Sequence, residues 1–361
     1  MPGNDTLVHG GGVNKDEFYT RMCDIEDELR HYRDQFRGKT ILCNCDDPYE
    51  SNFFKYFVLN FNHLDLKKLI ATSYDPSPIA GTQLPLFDIE GLRHLPHKEP
   101  FAIEITRVPT ASGDDAINLT DVEALLKQDA NTARRLVGDT EYSAGDFRSS
   151  QCVDLMDEAD IVVTNPPFSL FREYVSLLVQ HQKQFLVIGN TNAITYKDIF
   201  MLLRSDRLRT GYTNFNVGMF FEVPDNWDHF HHFDEQTGKK LARVSTSCWY
   251  TNLDVTRHHE PLRLFRRYLP DEYPTYDNYD AIEVGKVAEI PADYAGVMGV
   301  PITFMDRYNP QQFSVLGLCA SAGYDPEVVG IEKDSAFQDA RPLIAGRNTY
   351  ARIFIRRKDQ L

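Results

Sequence analysis

The sequence predicts an α/β fold with a mainly parallel sheet, an antiparallel edge and a smaller C-terminal module. Three observations carry this expectation. A strand–loop–helix–strand order occupies residues 40–72, the same alternation returns over residues 151–189, and after Gly211 it gives way to strand segments of alternating polarity.

Taken in order, residues 1–13 are polar and Gly-rich and are expected to be disordered. Across residues 15–36 the apolar side chains Met22, Ile25, Leu29, Tyr32 and Phe36 recur at spacings of three and four, which predicts one amphipathic helix ended by Gly38. Thr40-Ile41-Leu42-Cys43-Asn44 reads as a short buried strand running into the polar turn Cys45-Asp46-Asp47-Pro48. An aromatic-rich helix over residues 51–61 and a second strand over 69–72 complete a βαβ unit, whose crossover makes the pairing parallel. Residues 76–143 carry Pro and Gly punctuation, an alternating stretch at 101–105 and a helix around 121–127; they read as an insertion holding a hairpin and a helical piece. The main pattern resumes at Gly145-Asp146-Phe147, with a helix at 151–158, a strand at 160–164, a helix at 170–182 and a strand at 185–189. Segments 218–223 and 241–250 are expected to close the sheet as its antiparallel edge. The domain limits that follow are 14–254 for the main domain and 255–361 for a module rich in Pro, Tyr, Asp and Arg.

Composition narrows the classes. The chain has 361 residues, 42% of them apolar and 25% charged, an ordinary balance for a protein able to bury a large core. It contains no apolar run long enough to cross a membrane, and the first residues lack the basic and apolar regions of a secretory signal, so a cytoplasmic protein is expected. The six cysteines are too few for a disulfide scaffold in a chain of this length and read as reduced thiols. Cys43 and Cys45 are too close for a redox pair, and His229, His231 and His232 sit on a segment that reads as a polar hairpin rather than a metal site, with no partner at a zinc-like spacing. A net charge of −15 argues against a surface generally coated by nucleic acid, so any nucleic-acid contact must be local.

The strongest chemical signal is Asn165-Pro166-Pro167-Phe168, directly after an apolar strand, where open α/β sheets place their ligands. Two prolines fix φ and remove two backbone donors. The turn that remains offers the Asn165 side-chain oxygen and the Pro166 carbonyl as acceptors, with the Phe168 ring beside them. A planar base bearing an exocyclic amine needs that set: two acceptors for its N–H bonds and a face to stack on. Drawing on both hydrogens keeps the lone pair of the amine aimed at an electrophile, so no general base of tuned pKa is required.

That turn resembles the signature of amino-methyltransferases that use S-adenosyl-L-methionine. Lys15-Asp16-Glu17-Phe18-Tyr19-Thr20, Cys43-Asn44-Cys45-Asp46-Asp47-Pro48 with Ser51-Asn52-Phe53, and Met298-Gly299-Val300-Pro301-Ile302-Thr303-Phe304 bring the likeness closer: together they look like the EcoRI-type adenine-specific DNA methyltransferase family, over residues 15–358. The resemblance implies a Rossmann-like S-adenosylmethionine-dependent methyltransferase fold, with 14–254 as the catalytic domain and 255–361 as a target-recognition module. It implies methyl transfer to N6 of an adenine flipped out of double-stranded DNA, with Asn165, Pro166 and Phe168 at the amine. Asp46 or Asp47 would meet the ammonium end of the cofactor, Phe18, Tyr19 and Thr20 would cover it, and Asp146 and Phe147 would hold its adenine. One departure is plain: no Gly-x-Gly follows the first strand, which also argues against a nicotinamide dehydrogenase.

DNA contact would fall to local arginines: Arg204 and Arg207 with Arg209; Arg263, Arg266 and Arg267 with Arg257; and Arg352, Arg356, Arg357 and Lys358. Phe265 and Tyr268 interleave the second group. A monomer is expected, as is a cognate restriction endonuclease acting on the same site. The competing readings are a methyltransferase for RNA adenine or protein glutamine, and a catalytically silent DNA-binding protein of the same fold.

Overall fold

In the computed structural model, residues 19–45, 48, 51–74, 100–108, 132–223, 230–235, 237–321 and 323–358 are described. The helix expected over 121–127 and the residues 1–13 lie outside them. The described chain divides into two units, residues 1–189 with 217–253, and residues 190–216 with 254–361.

In the first unit, strands whose every residue is buried make the centre of a mixed sheet. β2 (Thr40–Cys43) and β6 (Ile161–Thr164) have no exposed position. β2 pairs parallel with β3 (Lys68–Thr72) on one side and with β6 on the other, and β6 pairs parallel with β7 (Gln184–Asn190). The strand order is β5-β4-β3-β2-β6-β7-β12, with β4 Phe101–Ile105, β5 Thr132–Arg135 and β12 Ser247–Thr251. The chain therefore winds outward from β2 to β3, returns, and winds the other way from β6 to β7. The carboxyl ends of β2 and β6 meet where the winding reverses, the place at which open sheets of this kind bind ligands.

Two sequence expectations are corrected. Of the two segments expected to close the main sheet, 218–223 and the first part of 241–250 lie outside it, whereas Ser247–Thr251 joins it as β12 beside β7, and an antiparallel edge lies on the opposite side. β4 pairs antiparallel with β3 and with β5, so the hairpin expected within 76–143 forms that edge. β9 (Met219–Val223) and β11 (Lys239–Val244) instead make a separate sheet with β1 (Tyr19–Thr20) and β10 (His232–Asp234), in the order β1-β9-β11-β10. Their periodicity explains why. Met219, Phe221 and Val223 are buried while Phe220 and Glu222 are half-exposed, the signature of a sheet covered on one face, whereas β12 is buried at every position and belongs inside the main sheet. The second correction is at the amino end. Tyr19 and Thr20 are strand, paired antiparallel with β9, and helix begins only at Met22, running Met22–Leu29 and, after one 3₁₀ turn, Arg33–Phe36. Ile25, Leu29, Tyr32 and Phe36 are all fully buried, as the spacing predicts.

Aromatic side chains fill the core around this sheet. Phe36 meets Phe57 edge-on at 5.4 Å, and Phe53 meets Trp249 at 5.9 Å. Ser51 caps the helix Asn52–Leu59 by accepting from the Phe54 amide. Asn252 clamps the start of β7, accepting from the Phe185 amide and donating to the Lys183 carbonyl, each at 2.8 Å.

The second unit holds β8 (Arg209–Thr210) and a sheet in the order β13-β14-β18-β15, namely Ile282–Glu283, Met298–Pro301, Arg352–Arg357 and Phe313–Cys319. β18 pairs antiparallel with both neighbours, and β15 carries a bulge between Val315 and Gly317. A side chain at Gly317 would collide with the Val329 carbonyl, so glycine lets that backbone pass. Among the described residues no helix is long and apolar enough to cross a membrane, no group of His, Cys, Asp and Glu is arranged to hold a metal, and none of the six cysteines is in a disulfide. His231 and His232, at the start of the β10–β11 pair, pack against the Phe220 ring of β9, one tilted and one edge-on; His229 is outside the described residues.

Candidate active site

Three adjacent strands lead into polar residues at the same end of the sheet: β2 runs into Asn44, β3 ends in Thr72, and β6 ends in Thr164 followed by Asn165. Asn44 and Asn165 are 1% and 7% exposed. The Thr164 hydroxyl donates to the Asn44 carbonyl, and the Tyr174 hydroxyl donates to Asn44 Oδ1. Tyr174 is wholly buried on the helix Phe171–Gln180, and that burial pushes its phenol well above the usual range, so it stays a protonated donor. Phe147 packs edge-on against the Tyr174 ring at 4.9 Å. One chain of contacts thus joins the loop carrying Asp146, the helix after β6 and the ends of two central strands.

Asp146 is held in a defined place. It accepts from Arg148 Nη2 at 2.7 Å, Nε at 2.9 Å and the Arg148 amide at 2.9 Å, while Arg148 also reaches Glu173 at 3.3 Å and lies over the Tyr142 ring. Gly145, at φ +79°, passes so close to the end of β3 that a Cβ would strike the Ser73 carbonyl. The loop is therefore pressed against the carboxyl end of the sheet by a position only glycine fills without strain.

The turn after β6 has a buried half and an open half. Asn165 and Pro166 are buried; Pro167 and Phe168 are half-exposed. Phe168 opens the 3₁₀ turn Phe168–Leu170 and rests edge-on against Phe221 of β9 at 6.2 Å. Tyr19 and Thr20 pair with Glu222 and Phe221 of that same strand. The Thr20 carbonyl accepts from Asn52 Nδ2 at 2.8 Å, which ties β1 to the helix that follows β2. Phe18, Asp46 and Asp47 lie outside the described residues.

Asn44 Nδ2, Thr72 Oγ1 and Thr20 Oγ1 are buried with no hydrogen-bond partner among the described residues. Buried polar atoms in folded proteins are satisfied in the great majority of cases. Orphans at two neighbouring strand ends and on β1 fit a ligand rich in amine, carboxylate and ribose oxygens.

Residues 9–358 match the model of the family described as adenine-specific methyltransferase EcoRI. The chain is 40% identical to the type II methyltransferase M.EcoRI of Escherichia coli, over 98% of this chain and 96% of that protein. It is 34% identical to the type II methyltransferases M.MpnI of Mycoplasma pneumoniae (97% of each chain) and M.MgeORF184P of Mycoplasma genitalium (96% of each). The chain belongs to the EcoRI family of adenine-specific methyltransferases. Family membership makes it a site-specific DNA adenine methyltransferase. No solved structure matches the chain.

Within this EcoRI-family chain the arginines separate by engagement. Arg207, Arg263, Arg266 and Arg267 are exposed. Arg204 is half-buried and donates to the Glu327 carbonyl at 2.8 Å. Arg257 ties Asp306 at 2.7 Å and the Tyr212 carbonyl at 3.0 Å, and Arg352 lies buried against Glu283 at 2.9 and 3.0 Å. Those two guanidinium groups are spent on the fold of the second unit. Sequence reasoning missed Asn44, Thr72, Tyr174 and Arg148. Asn44 carried a readable signal, a polar residue directly after the apolar run Ile41-Leu42-Cys43. Tyr174 did not, because its spacing from Phe171, Val175 and Leu178 is that of a core stripe.

Proposed function

We propose that this chain transfers a methyl group to N6 of an adenine swung out of duplex DNA at a specific sequence, with S-adenosyl-L-methionine as donor. The observation that carries the reading is the turn Asn165-Pro166-Pro167-Phe168 at the reversal point of the sheet, its acceptor end buried and its ring half-exposed. Asn165 Oδ1 and the Pro166 carbonyl accept the two amine hydrogens, which leaves the nitrogen lone pair free, and Phe168 stacks on the purine. Prolines hold these acceptors in place before substrate arrives, so little reorganisation accompanies the reaction. The base must leave the stack first, at a cost of about a few kcal/mol.

When bound, S-adenosylmethionine supplies an electrophilic methyl on a sulfonium. Asn44, Thr72 and Thr20 offer it their orphan polar atoms, Tyr19 its ring, Asp146 an acceptor for its adenine amine and Phe147 an aromatic face; Phe18 and one of Asp46 and Asp47 complete this assignment. The Rossmann-like likeness fits a strand order that reverses between β2 and β6. Residues 255–361 are assigned to target recognition, with Arg207, Arg263, Arg266 and Arg267 on phosphates and Arg204 beside them. A cognate restriction endonuclease and a monomeric working form complete the reading.

Replacing the central acceptor tests it. Asn165→Ala should lose at least about a hundredfold in methyl transfer, the scale of one preorganised acceptor, while calorimetry still detects S-adenosylmethionine binding. Wild-type turnover in that variant, or methyl incorporation that survives DNase, would sink the assignment.

A further inference from the structure

The segment around Phe265 combines an exposed ring, exposed arginines and firm anchorage. Phe265 is 83% exposed, and Arg263, Arg266 and Arg267 around it are exposed as well. A large bare aromatic on a floppy tail would need no explanation, but this segment is fastened at both ends. Gln312 clamps Leu262, accepting from its amide at 2.7 Å and donating to its carbonyl at 2.8 Å. The Arg266 carbonyl accepts from the Ala292 amide at 2.8 Å. The Tyr268 amide donates to Asp293 at 2.7 Å, and its ring lies 4.5 Å from Tyr294 and 5.7 Å from Tyr273.

The fold thus spends polar and aromatic contacts on holding Phe265 out in water. Three exposed guanidinium groups stand within two residues of the ring, on a chain whose net charge is −15. Glu272, Glu289 and Asp293 lie by Tyr273, at the anchored end of the segment. The partner that matches this pattern is a polyanion with flat apolar faces stacked inside it. Guanidinium forks pair with phosphate oxygens, and an apolar side chain carried between them enters a base step.

We propose that Phe265 is a wedge that enters the base stack of the bound duplex while Arg263, Arg266 and Arg267 hold the flanking phosphates. The wedge stabilises opened DNA and so raises the fraction of adenine available for methylation. This inference rests on the DNA-methyltransferase reading. It adds a positioning residue that touches the DNA without touching the reacting atoms.

The test uses the full-length protein, S-adenosylmethionine and a duplex carrying the sequence that the wild-type enzyme methylates, read by single-molecule sequencing. One duplex is matched, one carries a mismatch at the target adenine, and one has 2-aminopurine in place of that adenine. Phe265→Ala should lower both the 2-aminopurine signal and the single-turnover rate on matched DNA by about tenfold, the scale of one base–aromatic stack. On the mismatched duplex, already opened, its rate should return to near that of wild type, and Phe265→Trp should keep most activity on both. Equal losses on matched and mismatched DNA would overturn the wedge, as would a matched-duplex rate and fluorescence unchanged by Phe265→Ala. A wild-type enzyme that methylates no DNA would instead refute the underlying reading and remove the wedge with it.

Discussion

The hydroxyl of Tyr174 stands at the centre of the site, because its bond to Asn44 Oδ1 fixes which way the Asn44 amide faces. With the oxygen committed to Tyr174, Nδ2 is left as a buried donor at the reversal point. Tyr174→Phe keeps the ring against Phe147 and removes only this bond. Asn44 Oδ1 then keeps the long contact from Cys45 Sγ at 3.7 Å, and the fold loses about 1–3 kcal/mol. The thermal midpoint should therefore fall by about 2–10 °C and, with the amide free to turn, S-adenosylmethionine binding should weaken. An unchanged dissociation constant in calorimetry would reduce Tyr174 to a packing residue. At this scale the sequence was legible where chemistry broke a pattern. Asn165-Pro166-Pro167-Phe168 stands out because prolines are foreign to a strand end that continues into helix. Tyr174 was illegible because a phenol at helical spacing looks the same whether its oxygen serves the core or a site.

Among elements, the parallel strands were readable because short apolar runs, three residues in β2, β3 and β6 and four in β7, stand between turn residues and fit strands covered on both faces. What the pattern could not reveal was which sheet the half-covered strands would join. β9 and β11 announce one buried face, but the choice between extending the main sheet and starting another is made by distant partners such as β1. Short elements also store local strain in charge. His258, in the 3₁₀ turn Thr256–His259, is buried, and burial, helped by the neighbouring Arg257 and Arg209, pulls its imidazole down to about 4. The unfolded chain binds that proton near 6.5, so between the two values the unfolded state carries more protons. His258 therefore leaves stability untouched above about pH 6.5 and costs the fold progressively more as pH falls towards 4, reaching about 3 kcal/mol. Urea titrations of wild type and His258→Leu across pH 4–7 should converge in slope with pH at the upper end and diverge at the lower. Parallel curves throughout would show that the imidazole does not titrate in this way.

For the molecule as a whole, a net charge of −15 and a DNA substrate are reconciled by segregation. Arg257 and Arg352 are consumed by Asp306 and Glu283, whereas Arg207, Arg263, Arg266, Arg267 and Arg356 of the same sequence clusters are exposed. Sequence counting alone could not separate the two kinds, since an arginine in a buried pair and one in water are the same letter.

β9 has a consequence for how the two ligands communicate. Its Phe221 pairs through backbone with Thr20, on the segment assigned to the cofactor, and supports through its ring Phe168, on the turn assigned to the base. A ligand that stiffens one neighbour of Phe221 lowers the ordering cost left for the other. Affinities for S-adenosylmethionine and for target duplex should therefore each rise in the presence of the other, and by an equal factor, as linkage demands. Phe221→Leu should bring that factor towards one. A cooperativity that survives the substitution intact would mean that the two ligands converse by another route.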